Sequence, residues 1–205
     1  MAKLFEQIDD SLRLFIEGQP MFFVATAPSG DGGHVNLSPK GGKGLFRVTG
    51  PHGFAYVDLM GSGIETIAHL RENGRIVVMF CAFEGPPKII RLHGVGRPVQ
   101  QRDEGFGDLL ATFDVSDEQR PAVRSVITVE VTRVADSCGF VVPRMDYVGE
   151  RDQLYRFADS RIRKLGSEAV LEYVSEHNAE SIDGLTGLDA LVEPNGRRSA
   201  PGRKL

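Results

Sequence analysis

A small antiparallel β-barrel with helices at its periphery is the fold class this sequence predicts. Three observations support it. Six or seven segments of strand length, apolar or alternating, lie between Met21 and Val134. Short Gly- and Pro-rich turns join most of them as hairpins. Helical periodicity is confined to stretches that flank or interrupt this series.

Leu4, Phe5, Ile8, Leu12, Phe15 and Ile16 recur at helical spacing, which predicts an amphipathic helix over residues 3–17, ended by Gly18 and Pro20. It is expected to cover an open end of the sheet. MFFVATA, residues 21–27, reads as a buried strand. PSGDGG turns the chain, and His34 to Ser38 returns as the second arm of a hairpin. Pro39 to Gly44 reads as a glycine-rich basic loop. It lacks the spacing of a nucleotide-hydrolase phosphate loop, because Lys43 is followed by Gly44 rather than Ser or Thr. Strands are expected at 45–48 and 54–59 around the turn Gly50-Pro51-His52-Gly53.

Gly61-Ser62-Gly63 breaks the second of these strands. Ile64 to Asn73 then reads as a short helix, with Ser62 and Glu65 spaced as a capping box. Such a turn either merely caps the helix or also seats an anion on its free N–H groups. Arg75 to Phe83 is a strongly apolar strand, and Lys88 to Val99 a long one in which Gly94 and Gly96 predict a bulge or bend. A helix over 103–113 and a strand over 124–134 follow. Beyond Cys138, helices are expected over 152–165 and 167–176, then a loop over 178–191. The organisation expected is a barrel over 1–157, a helical extension of the same domain over 158–192, and a disordered basic tail over 193–205.

Composition narrows the function. The chain has 205 residues and a net charge of -4. Its last eleven residues hold Arg197, Arg198, Arg203 and Lys204, so the remainder is more acidic still, which argues against nucleic-acid binding. Acidic and basic residues interrupt the first twenty positions, unlike a signal peptide, and no run of about 18 apolar residues could span a membrane. Cys81 and Cys138 have no metal-type spacing, and a reduced, cytoplasmic protein is expected. No two of the five histidines have helical metal-ligand spacing, so no metal site is expected. No Ser/His/Asp arrangement is legible, and Gly61-Ser62-Gly63 is not a hydrolase elbow.

In their order, MFFVATA, VNLSPKG, GSGIETIAHLRENGRIVVMF and IIRLHGVGRPV resemble the pyridoxamine 5'-phosphate oxidase-like family over residues 5–157. The CGFVVPRMDYVGERD segment is similar to an actinobacterial-type branch of it. The resemblance implies a mainly β, α+β split β-barrel with Greek-key-like antiparallel order, of the FMN-binding type. It also implies a homodimer with cofactor sites at the subunit interface. FMN is the cofactor implied first, with a deazaflavin coenzyme as the alternative and haem in some relatives. The small-molecule substrate is not legible.

By analogy, Asn36, Ser38 and Lys40 lie along the cofactor ring, while Ser62, Gly63 and Thr66 hold its phosphate. Lys88 and Arg91, three apart on a strand, point to opposite faces, and the analogy favours Arg91 for the pocket. One departure stands out: Glu65 and Thr66 occupy the positions where the family carries an Arg-Lys pair. A haem-handling barrel, with His93 or His69 as axial ligand, is therefore a second expectation, since haem needs no phosphate seat. A cofactor-free structural dimer is the third. The helices after 157 are expected to cap the pocket or to extend the dimer interface.

Overall fold

The N-terminal segment divides into two elements instead of forming one helix. In the computed structural model, which describes residues 3–166 and 168–189, β1 (Leu4–Phe5) pairs with a later strand and α1 spans Asp10–Glu17. Asp9 is the reason the helix starts late. Its carboxylate accepts the Leu12 N–H at 2.8 Å, as an N-cap should, and the cap residue itself is extended. Leu4 and Phe5, left outside the helix, find a strand partner.

The remaining strands are β2 (Met21–Thr26), β3 (Asn36–Gly41), β4 (Phe46–Gly50), β5 (Gly53–Leu59), β6 (Arg75–Cys81), β7 (Ile89–Gln100) and β8 (Val123–Ser137). All pair antiparallel in the order β3-β2-β6-β7-β8-β5-β4, with β1 added against β8. This is a curled antiparallel half-barrel, and with its helices the chain is mainly β within the α+β class. Its eight strands exceed the six or seven expected by the short β1. β8 binds the sheet together: its first half lies between β5 and β7, and its second half between β7 and β1.

β3 runs further than predicted. Pro39, Lys40 and Gly41, expected in a loop, pair with Phe23, Phe22 and Met21. Proline is tolerated there because β3 is an edge strand and one side of it needs no ladder. The loop proper starts at Gly42, whose φ of 110° favours glycine. The predicted bulge in β7 is present as a register shift between His93 and Gly94, but the extra residue, Thr132, belongs to β8. Gly94 is required at this position, because a Cβ would lie 2.1 Å from the Glu130 carbonyl oxygen.

α2 (Glu65–Glu72) packs on β2 and β7, α3 is only Phe106–Leu110, and α4 (Gln153–Leu165) and α5 (Ala169–His177) pack on each other. α4 begins before residue 158, so its helix crosses the expected boundary between barrel and extension. The tail at 193–205 lies outside the described residues. No described helix is long and apolar enough to cross a membrane.

The core is centred on Phe22, whose ring lies 4.9 to 5.6 Å from those of Phe46, Phe54, Tyr56 and Phe80. These edge-on and tilted contacts tie β2, β4, β5 and β6 together. Phe22→Ala is expected to cost about 3–5 kcal/mol, read by urea denaturation, because the rigid strands around it cannot collapse into the void.

Candidate functional site

Strand alternation sets the site. On β3, Asn36, Ser38 and Lys40 are spaced by two and share one face, while Leu37 and Pro39 point to the other. Across from that face, β5 ends at Leu59 and the chain turns through Met60 and Gly61-Ser62-Gly63 into α2. Between them lies a cleft of about 440 Å³, lined chiefly by Ser38, Lys40, Gly61–Gly63, Glu65, Thr66 and Arg124. Leu154 of α4 closes one side.

The predicted residues fall into three groups. Ser38, Lys40, Ser62, Gly63 and Thr66 line this cleft together. Asn36 stands behind them as a brace: its amide nitrogen donates to Thr66 Oγ1 at 2.9 Å and to Thr26 Oγ1 at 3.1 Å, and its oxygen accepts from Ser38 Oγ at 2.9 Å. Arg91 is not brought here. It sits in register with Met79, Phe23 and Pro39, so it faces the other side of the sheet from Ser38 and donates to Ser137 Oγ at 2.6 Å.

Neither candidate haem ligand lines the cleft. His69 is fully buried on α2, with Nδ1 3.0 Å from Thr26 Oγ1 and Nε2 without a partner among the described residues. Burial holds its pKa below the ordinary value, against the opposing pull of Asp183, Glu65 and Glu72. His93 is also held below, by burial first and then by Arg133 and Arg91. Among the described residues no group of three His, Cys, Asp or Glu could hold a metal ion.

The residues that sequence reasoning missed lie directly beneath the cleft. Asp58 of β5 is fully buried between two cations: Lys40 Nζ at 2.9 Å on one carboxylate oxygen and Arg124 Nε at 2.6 Å on the other. Arg124 Nη1 continues to the Gly63 carbonyl and to Asn178 Oδ1, both at 2.8 Å. Asn178, buried at the end of α5, donates in turn to the Gly61 carbonyl at 3.0 Å. Asp58 carried a usable signal, since a carboxylate inside the apolar strand FAYVDL demands partners. Asn178 carried none, being 117 residues from the glycine it holds.

The expected capping box does not form. α2 has Ile64 as N-cap with no side-chain hydrogen bond, and Glu65 is its first helical residue rather than its third. The Gly61 and Gly63 carbonyls are held by Asn178 and Arg124, which delays the helix past Ser62. Glu65 Oε1 instead lies 3.4 Å from the Ile182 N–H.

Burial alone would raise the Asp58 pKa, but Arg124 first and Lys40 second outweigh it and bring it to about 2. A folded pKa below the ordinary 3.8 means that the unfolded chain takes up the proton first. The stability this group contributes is therefore complete above the carboxylate range and is lost as the pH falls from about 4 toward 2. Asp58→Asn is expected to cost about 3–5 kcal/mol at neutral pH, because it leaves two cations over one uncharged amide. Urea denaturation at pH 7 and again between pH 4 and 2 checks both: the variant should be weaker at pH 7 and lack this part of the acid dependence.

Comparison with known proteins places the chain. The pyridoxamine 5'-phosphate oxidase family model matches residues 8–138. A pyridoxamine 5'-phosphate oxidase family protein, ustO, from Aspergillus flavus is 37% identical over 209 residues, covering 96% of this chain and 82% of that protein. Among solved structures, an FMN-binding protein from Syntrophomonas wolfei is similar at 16% identity and a TM-score of 0.45, covering 60% of this chain and 80% of that one. An FAD-binding protein from Mycobacterium smegmatis is similar at 12% identity and a TM-score of 0.46, covering 66% and 96%. With the family model spanning more than half of its length and a curated relative aligned over nearly all of it, the chain belongs to the pyridoxamine 5'-phosphate oxidase family.

Proposed function

We propose that this protein is a flavin-dependent oxidoreductase that uses FMN, or a deazaflavin coenzyme, to transfer hydride or electrons to a small molecule in the cytoplasm. One observation carries the reading: five residues assigned to the cofactor by family resemblance line one ligand-sized cleft, and two cations reach it from a common buried carboxylate.

The donor set fits a phosphorylated cofactor. Lys40 and Arg124 supply the positive charge that the missing Arg-Lys pair would have given. Together they exceed the charge of Asp58 by one, and Glu65 at the same cleft offsets that one, so the pull on a phosphate comes from the directed donors of Lys40 and Arg124 rather than from a net charge. The hydroxyls of Ser38, Ser62 and Thr66 can complete hydrogen bonds to phosphate or ring. When bound, the cofactor itself carries the hydride chemistry, and the protein's part is to bind and orient it. Asn36 fixes the hydroxyls of Ser38 and Thr66, and Leu154 covers the side of the cleft.

A homodimer is part of the proposal. Val35 and Leu37, at the start of the edge strand β3, and Phe140, Val141, Met145, Tyr147 and Val148, in the segment after β8, expose large apolar surfaces. A second copy is the partner the family resemblance supplies for them. The haem reading lacks a favouring observation, because an axial ligand must face the bound group and neither His69 nor His93 lines the cleft.

Titration of the purified protein with FMN, followed by flavin absorbance and fluorescence, tests the reading. Saturable binding at micromolar or tighter affinity is expected, weakened about 10- to 100-fold by Lys40→Ala as a charge-assisted phosphate contact is lost. Failure of both FMN and the deazaflavin coenzyme to bind would overturn it.

A further inference from the structure

We infer that Asn178 is a positioning residue for the cleft: the segment after the barrel reaches back and fixes the Gly61–Gly63 turn in the form that receives the cofactor's phosphate. The inference rests on the flavin reading for the identity of the ligand, and on geometry alone for the positioning.

The geometry starts with two carbonyls. Gly61 C=O accepts from Asn178 Nδ2 at 3.0 Å, and Gly63 C=O accepts from Arg124 Nη1 at 2.8 Å. Asn178 and Arg124 are joined to each other through Asn178 Oδ1, also at 2.8 Å. Both carbonyls of the turn therefore point at one clasp. In a trans peptide the N–H of the next residue points the opposite way. The Ser62 and Ile64 N–H groups are thereby turned to the side away from the clasp, on a turn that itself lines the cleft. Without the clasp, Gly61 and Gly63 have no side chains of their own to select this conformation over others.

Asn178 is well placed to impose it. It is fully buried and both halves of its amide are engaged. Its backbone is fixed as well, with its carbonyl accepting the Leu188 N–H at 2.9 Å and its N–H donating to the Val174 carbonyl at 2.8 Å. The segment that follows is fastened beside α2 at further points. Arg71 binds the Gly187 carbonyl at 2.7 Å and Asp189 at 3.0 Å, and Gln100 exchanges hydrogen bonds with Asp189. Ile182 N–H engages Glu65, the acid at the mouth of the cleft. The C-terminal segment thus holds the turn from below and draws on the carboxylate that would oppose a phosphate.

Asn178→Ala, with Asn178→Asp as the second variant, tests this. The aspartate keeps an acceptor for Arg124 but has no donor for Gly61, so it serves if the alanine variant does not fold. Amide hydrogen exchange is expected to speed up about tenfold or more at residues 68–70, the first hydrogen-bonded N–H groups after the turn, of which Ala68 donates to the Ile64 carbonyl, while the barrel strands keep their protection. Unchanged exchange at these groups would overturn the positioning role. FMN and riboflavin, which differ by the phosphate, are then titrated in parallel. FMN affinity should fall about tenfold and riboflavin affinity should not change. Equal losses for both ligands, or none for FMN, would overturn the link to the phosphate. If the unmodified protein binds neither, nor the deazaflavin coenzyme, the flavin reading fails, and the exchange measurement still decides whether Asn178 sets the turn.

Discussion

A single buried carboxylate, Asp58, constrains everything around the cleft. An ionised aspartate with no exposed surface is untenable in an apolar interior unless its charge is met. Meeting it requires Lys40 from the edge strand and Arg124 from the start of β8 to converge on β5. That convergence fixes the two walls of the cleft relative to each other. It also gives Arg124 the orientation from which its second nitrogen reaches Gly63 and Asn178. Packing alone would hold these strands in the sheet, but it would leave the long side chains of Lys40 and Arg124 free to point into solvent.

How much of this was legible depended on whether the signal was local. The barrel strands were, because alternation and turn chemistry act over a few residues: β2, β5 and β6 lie within two or three residues of where their patterns place them. Ser38 and Lys40 came from the family resemblance rather than from periodicity, which left Lys40 in a loop; β3 running on to Gly41 puts both on one face. The errors differ in cause. The helix over 3–17 lost its first turns to the local cap at Asp9, which left Leu4 and Phe5 to pair with β8. The Ser62–Glu65 box, worth about 1 kcal/mol, lost to tertiary hydrogen bonds from Asn178 and Arg124 to the turn's carbonyls. Arg91 lies outside the cleft of its own chain, because its face on β7 is the one away from Ser38, and which face meets the cleft is a property of the curled sheet.

A second polar layer lies behind the first. Asn36 joins Ser38 and Thr66 at the cleft to Thr26, and Thr26 joins the buried His69. Every member but His69 is satisfied at the atoms this network uses; the imidazole keeps one nitrogen without a partner among the described residues. Burial accordingly favours the neutral ring. A charge there would sit behind the same hydroxyls that border the cleft, so a neutral His69 leaves Lys40, Arg124, Asp58 and Glu65 as the charges around it.

The placement of those charges bears on the problem posed by Glu65. An acid in place of a basic residue reads, from sequence, as a lost phosphate seat. In the folded chain the basic residues are elsewhere: Lys40 on β3 and Arg124 on β8 line the cleft that Glu65 also borders. A carboxylate within reach of the Ile182 N–H has a competing partner on the C-terminal segment. The two cations, by contrast, are held at the cleft by a buried anion they cannot leave without stranding it. Two fixed bases against Asp58 and Glu65 sum to no net charge, so what favours a phosphate is where the donors of Lys40 and Arg124 are held, not the sign of the cleft as a whole. The charge of the turn's own side chains is then a poor guide to what it binds, because the determining charges arrive from strands that only the fold brings beneath it.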